Sequence, residues 1–130
     1  MILAVVDDDV DITILFRDYL VSIFDYTIFT FTNPVMALEH FMFNKEKYAL
    51  VISDIRMPGL PGTELVRKLK TMNPLARTIL MTAFAINDNL FEQYTKKDLI
   101  NGFLQKPISL DDLHDEVNNQ LHKYELLRQK

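Results

Sequence analysis

The sequence predicts an α/β fold in which a parallel sheet is covered by helices on both faces. Short apolar runs alternate with helical patterns from one end of the chain to the other. Each run is about strand length and rich in Ile, Val, Leu or Phe, as the strands of a parallel sheet covered on both faces are. The 130 residues, 48% hydrophobic and 25% charged, suffice for one core and not for two. No internal repeat, low-complexity stretch or linker interrupts the alternation.

Five strands follow in order: Ile2 to Val6, Thr27 to Phe31, Ala49 to Ser53, Thr78 to Met81 and Gly102 to Gln105. Between the first two, Asp11 to Phe24 carries Ile12, Leu15, Phe16, Tyr19, Leu20 and Ile23 at spacings of three and four, one apolar helix face. Asn33 is an N-cap and Pro34 a first helical residue for a second helix holding Ala37, Leu38, Phe41 and Met42. A third follows Gly62, turns Leu65, Val66 and Leu69 inward and stops before Pro74. Asn87 or Asp88 caps a fourth, with Leu90, Phe91 and Tyr94. Ser109, with Asp112 three residues on, opens the last helix, whose seam of Leu110, Leu113, Val117, Leu121, Tyr124 and Leu127 outruns a small sheet. The turns beyond Leu121 serve as a linker, join a dimer seam, or fray as a disordered tail.

Composition excludes several functions. With 14 Lys plus Arg against 18 Asp plus Glu, the net charge of -4 disfavours gripping nucleic acid phosphates or an anionic membrane. The absence of cysteine removes disulfides, thiolate nucleophiles and Cys-ligated metal sites. The opening apolar run meets Asp7 after six residues and has no basic leader, and no window has the roughly 18 apolar residues of a membrane span. A soluble, cytoplasmic protein is expected.

The polar residues collect at strand ends. Asp7 and Asp8 follow the first strand, Asp54 the third, Thr82 the fourth and Lys106 the fifth, the edge where open α/β sheets bind ligands. Three carboxylates with a lysine and a hydroxyl suit a hard cation and a phosphoryl group. Taken singly, each has a plainer reading: Asp7, Asp8 and Asp9 as helix caps, Asp54 as the start of the Met57-Pro58-Gly59 turn, Lys106 as a solvated cation. Their convergence on one edge favours a site.

The stretches Ile2-Leu3-Ala4-Val5-Val6-Asp7-Asp8-Asp9, Val51-Ile52-Ser53-Asp54-Ile55-Arg56-Met57-Pro58-Gly59, Leu80-Met81-Thr82-Ala83 and Gly102-Phe103-Leu104-Gln105-Lys106-Pro107 are similar, in this order and at these spacings, to the receiver domain of two-component response regulators. The resemblance covers essentially the whole chain. It implies a flavodoxin-like (βα)5 doubly wound parallel sheet of strand order 2-1-3-4-5, with a receiver over residues 1–122 and a C-terminal helical extension over 123–130 that is a possible linker to an output domain. It implies that Asp54 is the phosphoacceptor, receiving a phosphoryl group from a sensor histidine kinase or a phosphotransfer protein. It further implies that Asp7, Asp8 and Asp54, with the backbone carbonyl of Arg56, hold Mg²⁺ or Mn²⁺. Lys106, the Thr82 hydroxyl and the Ala83 backbone N–H would then contact the phosphoryl group, Thr82 and Phe103 would form the switch, and Pro107 resembles the family's cis-proline. Such a domain catalyses its own phosphorylation and dephosphorylation and is not a conventional metabolic enzyme. A homodimer through the fourth helix, fifth strand and fifth helix is expected on phosphorylation, with the output domain or target protein open.

Two departures and three rivals bear on this. Phe103 stands where many members have tyrosine. Phe84, two residues beyond Thr82, stands where a polar side chain is easier to rationalise, and is expected to obstruct water and lengthen the phosphoryl lifetime. Asp9-Val10-Asp11-Ile12-Thr13 formally matches the Asp-x-Asp-x-Thr of haloacid-dehalogenase-type phosphatases, but Asp7 and Asp8 intervene between it and the strand. A flavodoxin-like FMN carrier would place Asp7, Asp8 and Asp9 against a phosphate, which they repel. A receiver-like module that binds partners without phosphorylation would lack one of the acidic residues or the lysine, and all are present.

Overall fold

In a computed structural model of the chain, the residues described are 1–83, 89, 92, 93, 96 and 99–129. The predicted fourth helix (its caps Asn87 and Asp88, and Leu90, Phe91 and Tyr94) and the predicted water-shielding residue Phe84 lie outside them. The described elements are β1 (Ile2–Val6), α1 (Val10–Ile23), β2 (Thr27–Phe31), α2 (Pro34–Asn44), a 3-10 turn (Lys45–Lys47), β3 (Tyr48–Asp54), α3 (Gly62–Met72), β4 (Arg77–Thr82), β5 (Gly102–Gln105) and α4 (Leu110–Arg128), the last of the predicted helices.

The five strands form one parallel sheet of order β2-β1-β3-β4-β5. The chain steps outward from β1 to β2 and then crosses back to β3, so strand order reverses between β1 and β3. Connections on opposite sides of this point leave a crevice at the carboxyl ends of the two strands. β1, β3 and β4 are buried almost throughout, which is why β1 and the centres of β3 and β4 read as apolar runs. The sheet divides the interior into two layers. Ile2, Ala4 and Val6 face Ala37, Phe41, Leu65 and Leu69 of α2 and α3, while Leu3 and Val5 face Phe16 and Leu20 of α1 and Leu113, Val117 and Tyr124 of α4.

Helix starts obey local chemistry. The Asp9 side chain accepts from Asp11 N–H, Asn33 from Val35 and Met36 N–H, and Ser109 from Asp112 N–H, each cap worth about 1 kcal/mol. Several helix residues differ from expectation. On α1 the buried stripe is Thr13, Phe16 and Leu20, whereas Leu15 and Ile23 are exposed. On α2 it is Pro34, Ala37 and Phe41, whereas Met42 is exposed. A helix lying on a sheet touches it along a strip narrower than the apolar arc of its sequence, so flanking apolar residues stay outside. Thr13 occupies the strip because its hydroxyl donates to the Val10 carbonyl.

α4 stays regular to Arg128. Tyr124 is buried in the second core layer, and the Tyr26 hydroxyl donates to Glu125 at 2.9 Å. That bond and burial push the Tyr26 hydroxyl up to about 12, burial being the larger cause. Among the described residues no helix is long and apolar enough to cross a membrane.

Candidate functional site

The site lies at the carboxyl edge of the sheet, on both sides of the β1/β3 reversal. Asp7 follows β1 directly and is fully buried. Its N–H donates to the Phe31 carbonyl of β2, and its Oδ1 accepts from Asp9 N–H at 2.9 Å, so backbone groups hold it on two sides. Asp8 is exposed beside it, and Asp9 is spent on capping α1.

Asp54 is the last residue of β3 rather than the first after it, and Thr82 likewise closes β4. Each strand runs one residue further than its apolar run, because Asp54 still pairs in register with Met81 and Ile55 N–H donates to the Met81 carbonyl. Two neighbours that sequence reading did not assign to the site pin the Asp54 backbone. Ser53, fully buried, donates its hydroxyl to the Asp54 carbonyl at 3.0 Å. Gly62, the first residue of α3, packs so close that a β-carbon there would lie 1.9 Å from that same carbonyl oxygen. The sequence signal was the Pro61-Gly62 step before an apolar helix face, which reads as punctuation and hides a packing requirement. The Gly62 N–H closes the loop by donating to the Ile55 carbonyl at 2.9 Å.

Lys106 follows β5, and its N–H donates to the Thr82 carbonyl at 2.7 Å. The Lys106-Pro107 peptide is cis. From there the side chain reaches across to Asp7 Oδ2 at 3.1 Å and Asp54 Oδ2 at 3.3 Å. Thr82 is buried and Ala83 follows it exposed. Phe103 pairs in register with Leu80, and Gln105 with Thr82, so Phe103 and Thr82 lie on one sheet face, diagonal across two strands. Arg56 is exposed in the turn beyond β3.

Carboxylate oxygens of Asp7, Asp8 and Asp54 lie within 4.8 Å of one another. Burial, the largest influence, holds the Asp7 carboxyl above its ordinary 3.8, and Asp54 adds to this, while the Asp9 N–H and Lys106 act against it. For Lys106 burial alone would favour the neutral amine, but the Asp7 and Asp54 carboxylates outweigh it and raise the ammonium above its ordinary 10.5. Lys106 thus bridges two of the three carboxylates, one of them fully desolvated, and Asp54 and Asp7 still repel one another. Hard oxygen donors at this spacing fit a divalent cation of the magnesium type.

A parallel sheet of this order defines the flavodoxin-like class of doubly wound domains, here with three carboxylates and a lysine gathered where strand order reverses. The sequence profile of the response regulator receiver domain matches residues 3–118. The chain is 30% identical over 122 residues to sporulation initiation phosphotransferase F of Bacillus subtilis, covering 92% of each. It is also 30% identical over 124 residues to the DNA-binding transcriptional regulator NtrC of Escherichia coli, covering 95% of this chain and only 25% of that protein. Among solved structures, a response regulator receiver domain protein from Clostridium thermocellum aligns with TM-score 0.79 at 25% identity, over 97% of this chain and 98% of the other. The chain belongs to this family: it is a receiver domain of the two-component response regulators. Phosphorylation and Mg²⁺ binding are typical of the family, and the phosphatase and phosphorylation-independent readings are not favoured.

Proposed function

We propose that Asp54 accepts a phosphoryl group from the phosphohistidine of a sensor histidine kinase or a phosphotransfer protein. The observation that carries this reading is the Lys106 ammonium, within 3.3 Å of Asp54 and 3.1 Å of Asp7, beside carboxylates otherwise left in mutual repulsion. An Asp54 oxygen attacks phosphorus, the O–P bond forms as the donor's N–P bond breaks, and the imidazole leaves with that electron pair. Lys106 turns from the carboxylate to the phosphoryl oxygens as charge moves onto them, and the Thr82 hydroxyl and Ala83 N–H donate to the same group. Phe103, on Thr82's side of the sheet, follows that movement and changes the outer face. Asp7, Asp8, Asp54 and the Arg56 carbonyl would hold Mg²⁺ or Mn²⁺, whose charge offsets the repulsion between an anionic nucleophile and an anionic phosphoryl group.

Residues 1–122 form the receiver in this reading, and 123–130, which pack Tyr124 back onto its core, extend toward an output domain or target protein, in the cytoplasm. The phosphorylated form dimerises through the fifth strand and the helices flanking it. Incubation with acetyl phosphate or phosphoramidate is expected to add one phosphoryl mass with Mg²⁺ and none with EDTA, and Asp54→Asn to abolish the gain. Unchanged labelling of Asp54→Asn would place the nucleophile elsewhere.

A further inference from the structure

Gln120 interrupts the buried stripe of α4. Its neighbours in that stripe are Leu113, Val117, Leu121 and Tyr124, and it is 1% exposed. A buried amide is tolerated where both of its ends are bonded. Here the oxygen accepts from Arg77 Nε at 2.9 Å, and the nitrogen donates to Glu116 Oε1 at 2.9 Å and to the Asn101 carbonyl at 3.1 Å. Arg77, 7% exposed, opens β4, and Asn101 precedes Gly102, the first residue of β5. One side chain thus ties the last helix to two strands, and neither a leucine nor a glutamate could make the three bonds.

Gly102 completes the set. It pairs in register with Ile79, which belongs to the core layer lined by α4, and a glycine inside a strand otherwise weakens it. A β-carbon there would collide with Glu116 Oε1 and come within 3.0 Å of Glu116 Cδ and 3.1 Å of Gln120 Nε2. The missing side chain is what lets Glu116 lie over the strand, within reach of Gln120. These contacts hold the amino ends of β4 and β5. The opposite ends lead to Thr82 and Lys106, about 13–16 Å further along the strands. We infer that Gly102, Glu116, Gln120 and Arg77 form a register lock fixing the amino ends of β4 and β5 to the last helix, and that the response of the carboxylate site pivots about it. The lock stands without the phosphoryl reading, whereas the pivot rests on it.

Two measurements on the full chain test it. In urea unfolding, Gly102→Ala should displace the Glu116 carboxylate, the end of a side chain, without unfolding the protein, and lower the folding equilibrium constant about tenfold. Glu116→Ala removes the same group, so the double variant should be no less stable than Gly102→Ala alone; additive losses would overturn the lock. In amide hydrogen exchange, beryllofluoride with Mg²⁺ should change residues 82–83 and 105–106 in the wild type and leave 77–79, 101–102 and 116–120 as they were. Gln120→Met keeps the volume and loses the bonds. It should be labelled by phosphoramidate at the wild-type rate, while its beryllofluoride response spreads to 77–79 and 116–120. A wild-type response equal at both strand ends, or a Gln120→Met response confined as in the wild type, would overturn the pivot. A wild type in which no amide responds refutes the phosphoryl reading and the pivot together, and the unfolding cycle then decides the lock.

Discussion

Gly62→Ala tests how closely the α3 start is fitted to Asp54. The new β-carbon would lie 1.9 Å from the Asp54 carbonyl oxygen, 2.8 Å from its carbonyl carbon and 2.9 Å from Ser53 Oγ, where real contacts essentially never fall below 3.0 Å. The first two are backbone atoms and cannot rotate aside, so the end of β3 or the start of α3 must move by about 1 Å in a close-packed region. Overpacking of this kind costs about 1–3 kcal/mol, and the better helix propensity of alanine returns at most ~1 kcal/mol. A net loss of about 1–2 kcal/mol is expected in urea unfolding. The effect on chemistry should be larger, because Asp54 is held 3.3 Å from Lys106 by this backbone and a ~1 Å misplacement can lower a rate about a hundredfold. Phosphorylation by phosphoramidate, followed by intact mass, should slow by roughly ten- to a hundredfold. Ser53→Ala added to Gly62→Ala removes the hydroxyl contact and leaves the 1.9 Å one, so it should not restore the rate. Wild-type rate together with a wild-type urea midpoint in Gly62→Ala would refute the packing argument.

Excess Mg²⁺, at about a hundred times its dissociation constant, should raise the melting temperature by roughly 10 °C through preferential binding to the folded chain. Asp8→Ala should shrink that shift, and identical melting curves in EDTA and Mg²⁺ would exclude the metal site. Ending the chain at His122 removes buried Tyr124 and the Tyr26–Glu125 bond, and should cost about 3 kcal/mol; an unchanged urea midpoint would show that 123–130 contribute nothing to the core. Burial beside Phe29, Phe31 and Tyr48 lowers His40 below its ordinary 6.5. The unfolded chain then takes up the proton first, so stability should fall as pH drops below about 6.5 and level off below the folded value. His40→Gln should flatten that dependence, and an identical pH profile would assign the loss to other groups.

The strands, their order of appearance and the convergence of Asp7, Asp8, Asp54 and Lys106 on one edge were legible in the amino-acid sequence. The middle of a parallel strand covered on both faces is predominantly apolar, and carboxylates and ammonium groups fall at its ends, so each run and the charged residue after it mark a strand and its carboxyl end. Helix caps were legible for an equally local reason, since a cap bonds within three residues of itself. The 2-1-3-4-5 order is a long-range property and entered through family resemblance rather than through periodicity. Tertiary structure decided which part of each apolar arc is buried: Phe16 and Leu20 inward but Leu15 and Ile23 outward, Phe41 inward but Met42 outward. Helical periodicity gives the direction of a face, while its width is set by the strands it happens to cross. Tertiary structure also set the Gly62 approach to Asp54, the bridge from Lys106 to two carboxylates on different strands, and the return of Tyr124 into the core. Each of these depends on where two distant segments meet, and a one-dimensional pattern records what a residue is without the neighbour that gives it a role.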